Sequence, residues 1–118
     1  MKNRRFYREA PNPTIAVEGY IYIFYAPEAN RVKIGRALHW RTRLAQIQSF
    51  SPIHLKCIYL ETIIPENGNT ALKREQEIQE RFNQYRLWGE WFQVEGELAE
   101  FLKPYILGRA KVRELCEE

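Results

Sequence analysis

A chain of 118 residues, 45% hydrophobic and 14% aromatic, is the size of one ordinary domain with a core of its own. Its two cysteines, Cys57 and Cys116, lack the number and spacing of a disulfide framework or a zinc site, and the net charge of +3 is too small to establish a nucleic-acid partner by itself. No run approaches the roughly 18 apolar residues of a membrane span, and no apolar segment follows the basic start, so the expectation is a cytoplasmic protein with no membrane contact.

The charge distribution says more than the total. Between Arg31 and Arg43 stand Arg31, Lys33, Arg36, Arg41 and Arg43, with His39 and no acid. Lys2, Arg4, Arg5 and Arg8 face a single Glu9 in the N-terminal segment, while acids gather between Glu75 and Glu100. A cationic block opposite an acidic half suggests a phosphate-facing side, although a solvated face would carry the same pattern.

Residues 1–17 are polar and basic and run into Pro11-Asn12-Pro13, so a flexible arm is expected there. The folded domain is expected over 18–107. Gly19–Tyr25 is a β-branched and aromatic run, apolar on both faces, and reads as a central strand covered on both sides. Ala26–Asn30 is a turn, and Arg31–Gly35 alternates polar and apolar residues, completing a hairpin.

Trp40, Leu44, Ile47 and Phe50 recur at helical spacing until Ser51-Pro52 stops them. Leu55–Glu61 is a third strand. After a loop at Pro65–Asn69, with Asn69 or Thr70 as cap, a helix is predicted over Thr70–Arg86. Its inward stripe reads Ala71, Glu75, Ile78, Phe82, Tyr85. A carboxylate therefore sits inside an apolar face, where charge is costly unless paired or bound to a cation. Glu90–Val94 is a short extended piece, and Leu98, Phe101, Leu102 and Tyr105 mark a last helix. A charged tail occupies 108–118. The element order argues α+β: a small antiparallel sheet of about three strands flanked by helices.

Three features then converge: a Gly19-Tyr20-Ile21-Tyr22 strand leading to a hairpin that ends Lys33-Ile34-Gly35, Arg43 eight residues later, and the inward Glu75. With Gly89-Glu90-Trp91-Phe92, this pattern resembles the GIY-YIG nuclease superfamily, and most of all its short phage, bacterial and fungal branch with a Lys-Ile-Gly second half-motif. The resemblance covers about residues 18–103. It implies a divalent-metal-dependent endonuclease acting on DNA, with Tyr22 orienting or deprotonating the attacking water, Lys33 in place of the second tyrosine, Arg43 on the phosphate, and Glu75 holding Mg²⁺ or Mn²⁺. Ile47 and Gln79 stand where other branches often carry histidine.

The roles are chemically coherent. Phosphodiester hydrolysis needs a placed water, cations at the phosphoryl oxygens and help for the leaving alkoxide. A tyrosine, with a pKa of about 10, is a poor base unless a neighbouring cation lowers that value, and Lys33 is a candidate for lowering it or for gripping phosphate directly. Arg31, Arg36, His39 and Arg41 are expected to contact the nucleic-acid backbone, positioning rather than specifying. One site per domain fits a monomer or a homodimer. Two other readings remain open: a catalytically inactive nucleic-acid-binding module, and a protein-interaction domain. The strongest competing account of Arg43 and Glu75 is an ion pair between them.

Overall fold

A computed structural model describes residues 16–65, 68 and 70–108. All but the last two residues of the expected arm, and the tail beyond Gly108, lie outside the described residues, as does Asn69.

Strand β1 (Gly19–Ala26) is buried along its whole length and lies between two antiparallel neighbours, β2 (Arg31–Ala37) and β3 (Lys56–Ile63). Alternation sends Tyr20, Tyr22 and Phe24 to one face and Ile21, Ile23 and Tyr25 to the other, and each set joins its own apolar cluster. The expected central strand is therefore present. Strand β2 extends to Ala37, two residues past the predicted end, and places Gly35 opposite Tyr22 and Lys33 opposite Phe24.

The two faces are covered differently. Helix α1 (Trp40–Ser49) lays Trp40, Leu44 and Ile47 on the Tyr20–Tyr22–Phe24 face, yet contributes no buried residue. Phe50, expected to continue that stripe, is the residue after the helix, has left helical geometry, and is 91% exposed. Helices α2 (Ala71–Arg81) and α3 (Gly96–Ile106) cover the opposite face, where Ile78, Leu98 and Leu102 pack with Ile21, Ile23, Ile34, Phe82 and Phe92. Thr70 caps α2, its hydroxyl accepting from Lys73 N at 3.0 Å, and the Glu18 carboxylate accepts from Ala71 N.

The sheet has five strands, in the order β3-β1-β2-β5-β4, not about three. The helix predicted to reach Arg86 stops at Arg81. Asn83–Tyr85 forms a single 3₁₀ turn, and the chain then makes a hairpin of β4 (Arg86–Trp88) and β5 (Trp91–Gln93). Tyr85 is thus not on the α2 stripe; its hydroxyl accepts from Glu97 N at 2.8 Å. Three-residue strands are too short to show an alternating pattern, and Tyr85 happens to continue the helical period of α2. Gly89, at φ 54°, makes the tight turn, and the fully buried Phe92 anchors β5 in the core. The α+β class stands, with helices on both faces of an antiparallel sheet.

Candidate active site at the open edge of β2

Strand β5 pairs with β2 only over Arg31–Lys33, with one further main-chain bond from Ile34 N to Glu90 O at 2.9 Å. Past that point the edge of β2 at Gly35–Ala37 has no strand beside it among the described residues. Side chains from both faces of the sheet meet around this opening.

Tyr22 reaches it from the α1 face. Its ring stacks on Phe24, with centroids 4.0 Å apart and planes within 8°, and its hydroxyl lies over Gly35. A Cβ at position 35 would stand 2.5 Å from Tyr22 Oη and 2.7 Å from Glu90 Oε1. The glycine of Lys-Ile-Gly is therefore required by close approach of these two side chains, not by backbone angle. Glu90 is delivered by the β4–β5 turn, and its Oε1 also meets Lys33 Nζ at 3.2 Å.

Glu75 comes from α2, on the opposite face, and is 6% exposed. Its Oε1 accepts from Arg36 Nε at 3.0 Å, and its Oε2 lies 3.4 Å from Gln79 Nε2. The same Gln79 amide donates to Ile34 O at 2.8 Å, tying α2 to β2 one residue before Gly35. The ion pair that Glu75 makes is with Arg36, not with the Arg43 of the competing account.

The electrostatics follow. Burial, and then the hydrogen-bonded Glu90 carboxyl beside it, raise the pKa of Glu75, with Arg36 opposing. The Glu75 carboxyl therefore keeps its proton to higher pH than a free glutamate would. Burial and the Glu90 charge push the Tyr22 phenol above its ordinary value, and the Arg43 guanidinium only partly offsets them. Lys33, expected to lower the Tyr22 pKa, instead engages Glu90 and the ring of Trp91. Tyr22 is a neutral phenol at physiological pH. Its oxygen is buried and has no hydrogen-bond partner of good geometry.

The structure thus assembles three of the four expected catalytic residues, Tyr22, Arg43 and Glu75, and reaches Lys33 through Glu90. Arg36 faces Glu75, and Arg31 lies over the Trp88 ring at 5.3 Å. His39 is the exposed N-cap of α1, and the exposed Arg41 stacks on Trp40 at 4.5 Å. Sequence reasoning places Glu90 beside the site, closing the core with Trp91, but not in the charged cluster itself. The only signal was its place in Gly-Glu-Trp-Phe, because a glutamate in a turn has no apolar face to stand out from.

The family model of the T5orf172 domain matches residues 19–108, which include every element described above. The chain belongs to the T5orf172 domain family. No curated protein and no solved structure matches it. Within this T5orf172 domain, the donor set at the β2 edge is all oxygen: two carboxyl groups and a buried phenol. No group of three or more His, Cys, Asp and Glu that could hold a metal exists among the described residues. The chemistry suits a hard divalent ion such as Mg²⁺, held by one or two carboxylates and otherwise by water and phosphate oxygens. Glu75 would hold it. No helix among the described residues is long and apolar enough to cross a membrane.

Proposed function

We propose that this T5orf172 domain is a GIY-YIG-like endonuclease that hydrolyses DNA phosphodiester bonds with Mg²⁺ or Mn²⁺. The carrying observation is the meeting of Glu75, Glu90, Tyr22 and Arg43 around Gly35 at an open strand edge. Arg43, exposed on α1, grips a non-bridging phosphate oxygen, and preorganised cations there stabilise the charge that grows in the transition state. Tyr22, held neutral, acts as a hydrogen-bond donor and acceptor that orients the attacking water. Glu90 takes up the proton released as the water oxygen bonds to phosphorus, the P–O bond to the departing alkoxide breaks, and that alkoxide takes its proton from solvent water. When bound, a divalent ion supplies Lewis-acid stabilisation of the phosphate and of the departing alkoxide. One site per domain cuts one strand per encounter, so a double-strand break takes two copies or two encounters.

A supercoiled plasmid incubated with Mg²⁺ or Mn²⁺, beside a chelator control and Glu75→Gln, tests this reading. Nicking by the parent protein alone, with DNA binding kept in the variant, supports it. DNA binding without nicking in either protein favours a catalytically inactive nucleic-acid-binding module. The Arg36–Glu75 ion pair is the observation on that side, since it occupies one carboxylate oxygen without any metal.

A further inference from the structure

The face of the sheet carrying Tyr22 is only partly roofed. Helix α1 packs on β1 and β2 and ends at Ser49, so the β5–β4 part of that face lies beyond its reach. There the strand register lines up Phe24, Lys33, Trp91 and Trp88 across four strands. A cavity of about 440 Å³ opens over this row, walled by Trp88, Trp91, Arg31 and Lys33 on the sheet side and by Phe50 and Pro52 from the segment after α1. Its size falls within the roughly 300–1,000 Å³ usual for small-ligand sites.

Three properties set the chemistry of its occupant. Large aromatic surface is left in water at no evident benefit to folding: Phe50 is 91% exposed and Trp88 56%. Both polar walls are cationic, Arg31 lying over Trp88 at 5.3 Å and Lys33 over Trp91 at 5.5 Å. Arg31 Nε is buried and makes no hydrogen bond, a donor awaiting an acceptor. Flat aromatic walls, flanking cations and an unpaired donor together fit a flat, acceptor-bearing ring attached to an anion.

The cavity also adjoins the candidate active site through one side chain. Lys33 lines it and at the same time touches Glu90 at 3.2 Å. A group held over Trp88 and Trp91 is therefore one side chain away from the carboxyl pair.

We propose that this cavity holds an unpaired DNA base next to the phosphate placed at the β2 edge, so that the preferred substrate carries an extrahelical or single-stranded nucleotide. The inference rests on the nuclease reading above and adds the substrate class to it. Trp88 and Phe50 stack on the base, Arg31 Nε donates to a base or phosphate oxygen, and Lys33 bridges base pocket and cleavage site. Stacking on aromatic side chains tolerates every base, so the preference is for structure, not for sequence.

The test uses the full chain with chelator present, so that binding is read without cleavage. Two duplexes of identical length are compared by anisotropy of a dye at one end; one is fully paired, the other has a single-nucleotide bulge bearing a fluorescent purine analogue. The expected result is about tenfold tighter binding of the bulged duplex, quenching of the analogue on binding, and loss of both in Trp88→Ala and in Phe50→Ala. Both substitutions are at exposed side chains, and binding of the paired duplex, unchanged in each, reports that the fold is intact. Equal affinity for the two duplexes, with no quenching, overturns the base pocket while leaving metal-dependent nicking of plasmid to stand on its own. Binding of neither duplex overturns the pocket and the nuclease reading together.

Discussion

Gly35 lies directly beneath the Tyr22 hydroxyl, leaving 2.5 Å between that oxygen and the place a Cβ would occupy. The contact is too short for any side chain, and Tyr22 is held from its other side by the parallel ring of Phe24. Gly35→Ala must therefore move the ring or spread β1 from β2. The expected loss of stability is about 1–3 kcal/mol, the range for overpacking a filled core. Thermal unfolding measures it, and plasmid nicking should fall further than the lost stability accounts for. An unchanged melting temperature would show that Tyr22 swings freely.

Arg43 sits on the exposed surface of α1, so its removal should leave the fold alone. Arg43→Ala is expected to change stability by less than about 0.5 kcal/mol. Nicking should drop by about a hundredfold or more, as when one preorganised donor to a developing charge is removed. The salt dependence of DNA binding should become shallower by about one ion, which titration at several salt concentrations reads directly. Full activity in Arg43→Ala would remove this residue from the phosphate site.

The Glu75 carboxyl is held above its ordinary pKa by burial and by Glu90. The folded chain therefore binds a proton more tightly than the unfolded chain. Stability from this group is complete at pH below the unfolded value, and is lost as pH rises through the raised folded value. Glu75→Gln, which cannot ionise, should melt a few degrees above the parent at pH 8. That advantage should vanish near pH 4. Melting curves across this range decide the matter, and a gap that widens toward low pH would reverse the sign assigned to the carboxyl pair.

Arg36 is the cation that opposes those two effects on Glu75. Removing it should raise the Glu75 pKa further. In Arg36→Ala the ascending limb of the pH–rate profile for nicking should shift to higher pH, with a smaller effect on the plateau. A uniform fall in rate at all pH values would instead mark Arg36 as a direct phosphate contact, the role its place in the cationic block suggested.

Much of this architecture could be read from residue order. The β1–β2 hairpin, the two-faced burial of β1 and the inward position of Glu75 all follow from periodicity, because long elements with filled faces impose a repeat on the sequence. What escaped notice were short or local features. The β4–β5 hairpin has three residues per strand, too few for a pattern, and Tyr85 mimicked a further turn of α2. Phe50 kept the helical spacing of α1 but lies beyond its last turn. The competing account paired Glu75 with Arg43, and geometry gives it Arg36 instead. Arg36 lies opposite Ile21 of β1, on the same face of the sheet, and so points toward α2, whereas Arg43 approaches from α1 on the other side. Glu90 needed the hairpin to be known before it could be placed.

Helix α1 buries none of its residues, while α2 buries three and α3 two. Free energies of local opening track buried apolar contact, so α1 is, of the three helices, the one the fold can release most cheaply. Its departure would carry away Arg43 and leave both carboxyl groups and the phenol standing on the sheet and α2. Of the members of the cluster, the guanidinium is thus the one with the weakest anchorage to the rest of the fold.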